Sequence, residues 1–493
     1  MLLTLTVFLP LVGALVIALL LRRPRAIRGF AIGVTVADLT LAALAFTAYD
    51  PQKGGLQLVE RVNWIPSLNV HYFLGLDGLN APLVLLTGLV GMCAALASWR
   101  IEVRVQEYFA WLLVLQTAVM GVFTGLDFVL FFIFWELELV PMYFLISIWG
   151  SGRKEYSAMK FLVFTLVGSA FMLVGILVLY FSANTFDMTV LATKDLTNLV
   201  IPTQMVFFFF FLAFAIKLPT WPLHSWLPDA HTDAPTAGSV MLAGVLIKMG
   251  GYGLIRVGVA IFPGVAREYA WLIVTLAVIS IIYGAIVTLR QSDLKRLVAF
   301  SSISHMGLVL LGIGSVGTVA ARISPVGLNG AAMQMFTHGP ITGLLFLLVG
   351  LVYEKAHTRY IPDLGGMASR MPFVASVFVL ASLASLGLPS LSGFVSEALI
   401  FLGTFFVWGW PTAIAVFGIV LTAGYILWMV QRVFFGPALS RYAHIGDATL
   451  VEKLPLVVMV IAIVVVGIYP SILTDVFSAG INPIVERLRV LGP

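Results

Sequence analysis

The sequence predicts an all-α, polytopic membrane protein with about fourteen transmembrane helices. Three observations predict it. Of the 493 residues 60% are hydrophobic and only 10% charged, where a soluble domain is roughly a quarter charged, so a water-soluble globule is excluded. The apolar residues come in runs of about 20, the length at which a helix crosses a bilayer. No linker of soluble-domain size separates these runs; the longest polar stretch lies between Tyr49 and Gly78. A single cysteine, Cys93, excludes disulfide frameworks, cysteine-ligated iron–sulfur clusters and four-cysteine zinc sites. The formal charge of +5 does not point to nucleic acid, because a membrane protein gathers Lys and Arg on its cytoplasmic loops.

The first run, residues 2–21, is followed by Arg22, Arg23, Arg25 and Arg28. A cleaved signal peptide carries its positive charge before the apolar run. The order here is reversed, so the run reads as a retained first span. Further spans are expected at 27–48, 79–98, 109–124, 127–149, 160–181, 204–222, 236–259, 270–289, 299–316, 329–352, 372–408, 411–431 and 454–472. The twelfth is too long for one straight helix, and Gly387, Pro389 and Gly393 predict a break near Pro389. With the N-terminus outside, cytoplasmic loops hold 18 of the 28 Lys and Arg, outer segments hold 8, and Lys217 and Lys248 fall within spans. This bias places both termini outside. The loop 219–236 has no Lys or Arg but carries His224, Asp229, His231 and Asp233, so it is expected to fold back against the protein.

Few ionisable groups remain at membrane depth: Asp38, Glu136, Glu138, Lys217, Lys248, His305, His338 and Glu397. A charged side chain at a helix centre costs about 2.5–3.5 kcal/mol on insertion scales, and such residues mark proton or ion pathways by default. Glu136 and Glu138 are about 200° apart around a helix, so they do not form a paired acid/base site. Pro141 cannot donate to Leu137, which frees a carbonyl beside the acids. Either carboxylate could instead serve structurally, bonded to a neighbouring helix. Lys217 stands just before Pro219 and Pro222, which predict a broken helix of the kind that carries ion sites in transporters. Burial disfavours its ammonium and a nearby carboxylate favours it, so Lys217 is a candidate proton switch with Glu136 as its partner; the alternative is a lysine snorkelling to the interface. Lys248 sits near the middle of its span, with Tyr252 one turn away. Ser301 precedes His305 by one turn, and His338 lies between Gln334 and Thr342 at four-residue steps, one polar stripe on an apolar helix. Neutral histidine accepts a proton on one nitrogen and donates from the other, although an intramembrane His also serves as a plain interhelical hydrogen bond. Glu397 follows the second interrupted helix. Asp38 has no comparable context.

There is no Walker A loop, no Rossmann glycine fingerprint in a βαβ unit, and no HExxH pair. The Glu354–His357 spacing falls on a charged loop and reads as a solvated face, so neither metal nor nucleotide is expected to bind.

The segments FLGLDGLNAP (73–82), WELELVPMYFLI (135–146), QMFTHGPITGLLFLLVG (334–350), YEKAHTRYIPDLGGMASRMP (353–372) and YILWMVQRVFFGP (425–437) together resemble the antiporter-like subunits of proton-translocating NADH:quinone oxidoreductase, respiratory complex I, and within them the chain M branch homologous to mitochondrial subunit four. The resemblance implies a 14-helix fold with two inverted five-helix repeats, each with a broken helix: N-terminal helices over 1–108, repeats over 109–259 and 260–431, and a C-terminal helix and tail over 432–493. It implies that Glu136 is the fifth-helix glutamate paired with Lys217, that Lys248 is the central lysine, that His305 and His338 connect, and that Glu397 is the terminal acid where related chains usually carry lysine. The sequence departs at Glu138, where an apolar residue is expected, and at Pro340, which should bend the relay helix. The implied function is proton translocation across a bacterial inner membrane, driven by quinone reduction elsewhere. No cofactor is expected in this chain; NADH, FMN, iron–sulfur clusters and quinone belong to partner subunits, among them other membrane-arm and antiporter-like chains, with lipid around them. Two other readings stay open here: a subunit of a multi-subunit Na+/H+ antiporter, and a passive structural subunit of the membrane arm.

Overall fold

The computed structural model describes residues 1–196, 199–317 and 322–490. Eleven of its helices are long and apolar enough to cross a membrane, from Leu2–Leu19 to Leu450–Ile468, and four shorter apolar helices join them: Ala81–Ala97, Thr203–Lys217, Pro372–Ser385 and Ser392–Trp408. The long twelfth run is split as the glycines and proline predict. Its halves are separated by a turn in which Gly387 (φ +78°) and Ser390 (φ +75°) take left-handed conformations. The seventh helix ends at Lys217, earlier than the expected 222, because Pro219 and Pro222 withhold two amide donors. Pro340 does not interrupt its helix, which runs unbroken from Pro325 to Ala356.

The chain is not wholly helical. Residues Gln57–Ile65 and Val70–Leu76 pair as an antiparallel hairpin, turned at Asn69 in the left-handed region. The segment is rich in Val, Ile, Trp, Tyr and Phe, which fit a pleated surface, and it lies in the polar stretch before the third span. Beyond the last apolar span, Ser471–Val490 forms a further helix. It buries Leu473, Phe477, Ile481, Ile484 and Leu488, one stripe at helical spacing.

Three helices make the interior. Thr236–Val259, Leu294–Val316 and Pro325–Ala356 are enclosed on nearly all sides, whereas Leu2–Leu19, Pro24–Ala48, Lys154–Ala183, Ala270–Leu289, Trp410–Phe434 and Leu450–Ile468 bury fewer than half of their residues. Lys248, His305 and His338 sit on the three enclosed helices, so these side chains meet protein and not acyl chains. Burial of this kind demands partners, because an unpaired polar group in an apolar surround costs several kcal/mol.

Candidate proton-relay site

The first group forms where two helices are interrupted. Glu138 is the joint between Phe128–Leu137 and Leu139–Trp149, the break that Pro141 foreshadows. It is fully buried and forms an ion pair with Lys217, the last residue of Thr203–Lys217. Lys217 therefore meets Glu138 and not Glu136, which corrects the pairing expected from sequence. The physical reason is the angular separation already noted: only one of the two carboxylates can face Lys217, and that side belongs to Glu138. Glu136 is half-buried, and its Oε1 has no hydrogen-bond partner. The rings of Phe161 and Trp135 stand 5.5 and 5.7 Å from the Lys217 ammonium, close enough for cation–π attraction. The freed backbone after Lys217 is also satisfied: Thr220 N–H donates to Ala215 O at 2.9 Å, and the Trp226 indole donates to Ile216 O at 2.9 Å.

The loop 219–236 does fold back. Residues Trp226–Asp233 form a short helix in which Asp229 and Asp233 are buried. Asp229 pairs with Lys160 at 2.7 Å and Arg296 at 3.1 Å, and Asp233 accepts from the Ser157 hydroxyl at 2.6 Å. Cations on neighbouring helices thus neutralise Asp229, which the loop itself cannot. His231 of this helix is fully buried, stacked on Phe346 at 4.6 Å, with neither ring nitrogen bonded.

Lys248 lies in the next helix between two wider π turns, Leu242–Leu246 and Leu254–Val259, a distortion frequent at functional sites. Gly250, half a turn on, meets the end of the Lys217 helix: a Cβ there would stand 2.5 Å from Leu218 N and 2.6 Å from Phe214 O. Only glycine permits that approach. Among the described residues no hydrogen bond joins Lys217 to Lys248. The Lys248 ammonium instead donates to Ala243 O and, at 2.8 Å, to His338 Nδ1. With Nδ1 accepting from an ammonium, the ring proton belongs on Nε2, where the Thr342 hydroxyl lies at 2.9 Å. The third member of the predicted stripe, Gln334, accepts from Ser396 of Ser392–Trp408.

His338 and His305 lie with ring centroids 5.6 Å apart. His305 Nε2 is 3.2 Å from the Ser385 hydroxyl, and its Nδ1 is 3.6 Å from Glu397 Oε1. The Glu397 carboxylate folds back towards Gly387, where a Cβ would stand 2.6 Å from Oε2. A cavity of about 10 Å³, lined by Ser304, His305, Glu397 and Thr422 among others, adjoins this end; it has room for about one water.

Of the six predicted residues, Lys248, His338, His305 and Glu397 form one buried row; Lys217 pairs separately with Glu138, and Glu136 is set aside. Sequence reasoning missed Glu138 as the partner, and the two-residue spacing could not name it. It also left His231 unassigned, although a His- and Asp-rich loop without Lys or Arg was the signal for it. Among the described residues no cluster of His, Cys, Asp or Glu could hold a metal ion.

The chain is similar to known proteins in sequence and in fold. The family described as NADH:quinone oxidoreductase/Mrp antiporter, transmembrane, matches residues 125–422. NADH-quinone oxidoreductase subunit M of Rhodobacter capsulatus is 39% identical over 99% of this chain and 96% of its own length. NAD(P)H-quinone oxidoreductase chain 4 of Synechococcus elongatus is 42% identical over 98% and 91%. Among solved structures, a chain of respiratory complex I from Thermus thermophilus with bound NADH superposes with a TM-score of 0.89 at 30% identity, each chain covered completely. A chain of the Mrp complex from Dietzia sp. superposes at 0.86 with 22% identity over 99% of both, a likeness of fold.

Proposed function

From the premise that the chain belongs to the NADH:quinone oxidoreductase/Mrp antiporter membrane family, we propose that it is the subunit M/chain 4 member of a bacterial complex I membrane arm and moves protons through its buried row of titratable side chains. The relatives alike in sequence over their whole length are quinone oxidoreductase subunits, and this favours complex I over the Mrp assembly, which shares the fold. The observation that carries the conducting role is the buried series in which Lys248 bonds to His338, the rings of His338 and His305 lie 5.6 Å apart and His305 stands 3.6 Å from Glu397, with the Glu138–Lys217 pair on neighbouring helices.

In this reading the chain holds no redox centre. NADH, FMN, iron–sulfur clusters and quinone sit in partner subunits, and quinone reduction there drives a charge shift that reaches Lys217. Drawing Glu138 away removes the charge that favours the ammonium, so Lys217 gives up its proton. The proton passes to Lys248, then by His338 and His305 to Glu397 and the outer side, where both termini lie. The unit 109–259 carries the switch and the unit 260–431 the outlet. The energies suffice: a change of one pKa unit is about 1.36 kcal/mol, and moving one charge against 100 mV costs about 2.3 kcal/mol.

The test is substitution of Lys217 or Lys248 by Ala in the assembled complex, with proton pumping, NADH:quinone turnover and assembly measured together. Lost pumping is expected from both, with intact assembly in Lys248→Ala and reduced assembly in Lys217→Ala, which leaves the buried Glu138 carboxylate without its partner. Full pumping from a normally assembled Lys248→Ala complex would leave the chain a structural role only.

A further inference from the structure

Asp38 is a buried carboxyl that the relay does not use. It lies in the middle of Pro24–Ala48, fully buried, and among the described residues no cation pairs with it. Its one hydrogen-bond partner among the described residues is Gln116 of Val105–Thr124, whose Nε2 donates to Asp38 Oδ2 at 2.5 Å. The Gln116 amide lies against Gly91 of Ala81–Ala97: a Cβ there would overlap Oε1 and stand 2.8 Å from Nε2. Three helices therefore meet at this one contact, and the glycine makes room for it.

The pair as an ion is incomplete. Asp38 Oδ1 and Gln116 Oε1 are both buried and both lack a donor. An ionised carboxylate only accepts, whereas a carboxylic acid adds one O–H donor. An acid and a primary amide are complementary, each giving one hydrogen bond and taking one, so a single proton on Asp38 supplies the donor that the two orphaned oxygens call for. A hard metal cation fits poorly, because it asks for about six oxygen ligands and only two are free. Ionisation would also leave an unpaired charge at membrane depth, which proteins rarely tolerate.

We propose that Asp38 is a proton-binding site apart from the relay, holding its proton as a neutral carboxylic acid in a closed pair with Gln116, seated on Gly91, and keeping it throughout turnover. The pair then ties three helices together without placing a charge at membrane depth.

The experiment is infrared difference spectroscopy of the assembled complex in membranes, wild type against Asp38→Asn. A protonated-carboxyl C=O band, slow to shift in D2O, is expected in the wild type and missing from the variant. Gln116→Leu should move that band to the higher frequency of an unbonded acid, and it serves as the second reading if Asp38→Asn assembles poorly. Because Asn keeps both a donor and an acceptor in place, pumping by Asp38→Asn should stay within about twofold of wild type. Loss of a carboxylate band instead, no change in the acid band in either variant, or abolished pumping in a normally assembled Asp38→Asn complex would each overturn the proposal. Pumping that depends on sodium in the wild type and not in Asp38→Asn would also overturn it, in favour of a cation site.

Discussion

The break after Lys217 and the break between Ser385 and Ser392 both leave half-helix ends inside the protein, yet they hold their ionisable groups differently. At the first, ammonium and carboxylate are in direct contact, aromatic rings flank them, and the freed backbone is bonded to an amide and an indole. At the second, His305 and Glu397 are 3.6 Å apart, the carboxylate leans towards a glycine, and a water-sized cavity adjoins them. A closed ion pair in a low-dielectric interior resists opening and costs energy to separate; a looser contact with space beside it lets a proton leave by way of water. The difference suits a switch at one end and an outlet at the other.

The comparison breaks most sharply at Glu138. Glu138→Ala strands the Lys217 ammonium, and removing one partner of a buried pair costs about 3–5 kcal/mol, so less assembled complex is expected on native gels. Glu138→Gln keeps the shape and removes the charge. It should lower pumping about tenfold or more, the scale of a lost proton-transfer group, with assembly retained. Glu136→Gln should cost less than about threefold, because the carboxylate paired with Lys217 is that of Glu138. Equal losses from the two glutamine variants would remove the distinction between them.

At the outlet, Glu397→Gln should lower pumping about tenfold while native-gel assembly stays normal, since the contact it loses is long and the cavity beside it accommodates the change. Gly387→Ala tests the same end without touching a titratable group. Its φ of +78° disfavours any Cβ, and the Cβ would press on Glu397 Oε2 at 2.6 Å. A destabilisation of about 1 kcal/mol or more and a severalfold loss of pumping are expected, measured by thermal stability of the purified complex and by acidification of vesicles. Wild-type pumping in a strained Gly387→Ala complex would show that the carboxylate's fold-back position is dispensable.

Much of this arrangement was legible in the sequence. Apolar runs between Lys- and Arg-rich loops marked the spans, and Pro219, Pro222, Gly387 and Pro389 marked both breaks, because these residues act on the backbone wherever they occur. The four-residue stripe Gln334–His338–Thr342 does share one face, though its members bond to different neighbours. Three features escaped. The hairpin at 57–76 was hidden because hydropathy windows tuned to helices pass over short strands. The partner of Lys217 needed tertiary placement, since two-residue spacing says that Glu136 and Glu138 diverge but not which one turns inward. Asp38 was visible as an anomaly, but Gln116 and Gly91 lie on other helices and only packing brings them together.

A smaller effect than those at the two breaks concerns the hydroxyl on the far side of His338. Thr342 sits one turn from His338 on the same helix, at 2.9 Å from Nε2, while Nδ1 faces Lys248 at 2.8 Å. If Thr342 only fixes the ring proton on Nε2, then Thr342→Val, which keeps the branched shape, removes one neutral hydrogen bond worth about 1 kcal/mol. Pumping should then fall by about twofold to fivefold, with assembly and quinone turnover little changed, and Thr342→Ser should restore it. A loss as deep as that of Lys248→Ala would mean that the hydroxyl itself conducts. In that case the proton would leave His338 through Nε2 and Thr342 rather than across the 5.6 Å ring-to-ring gap to His305, and the outlet would have to be sought along the Pro325–Ala356 helix instead of at Glu397.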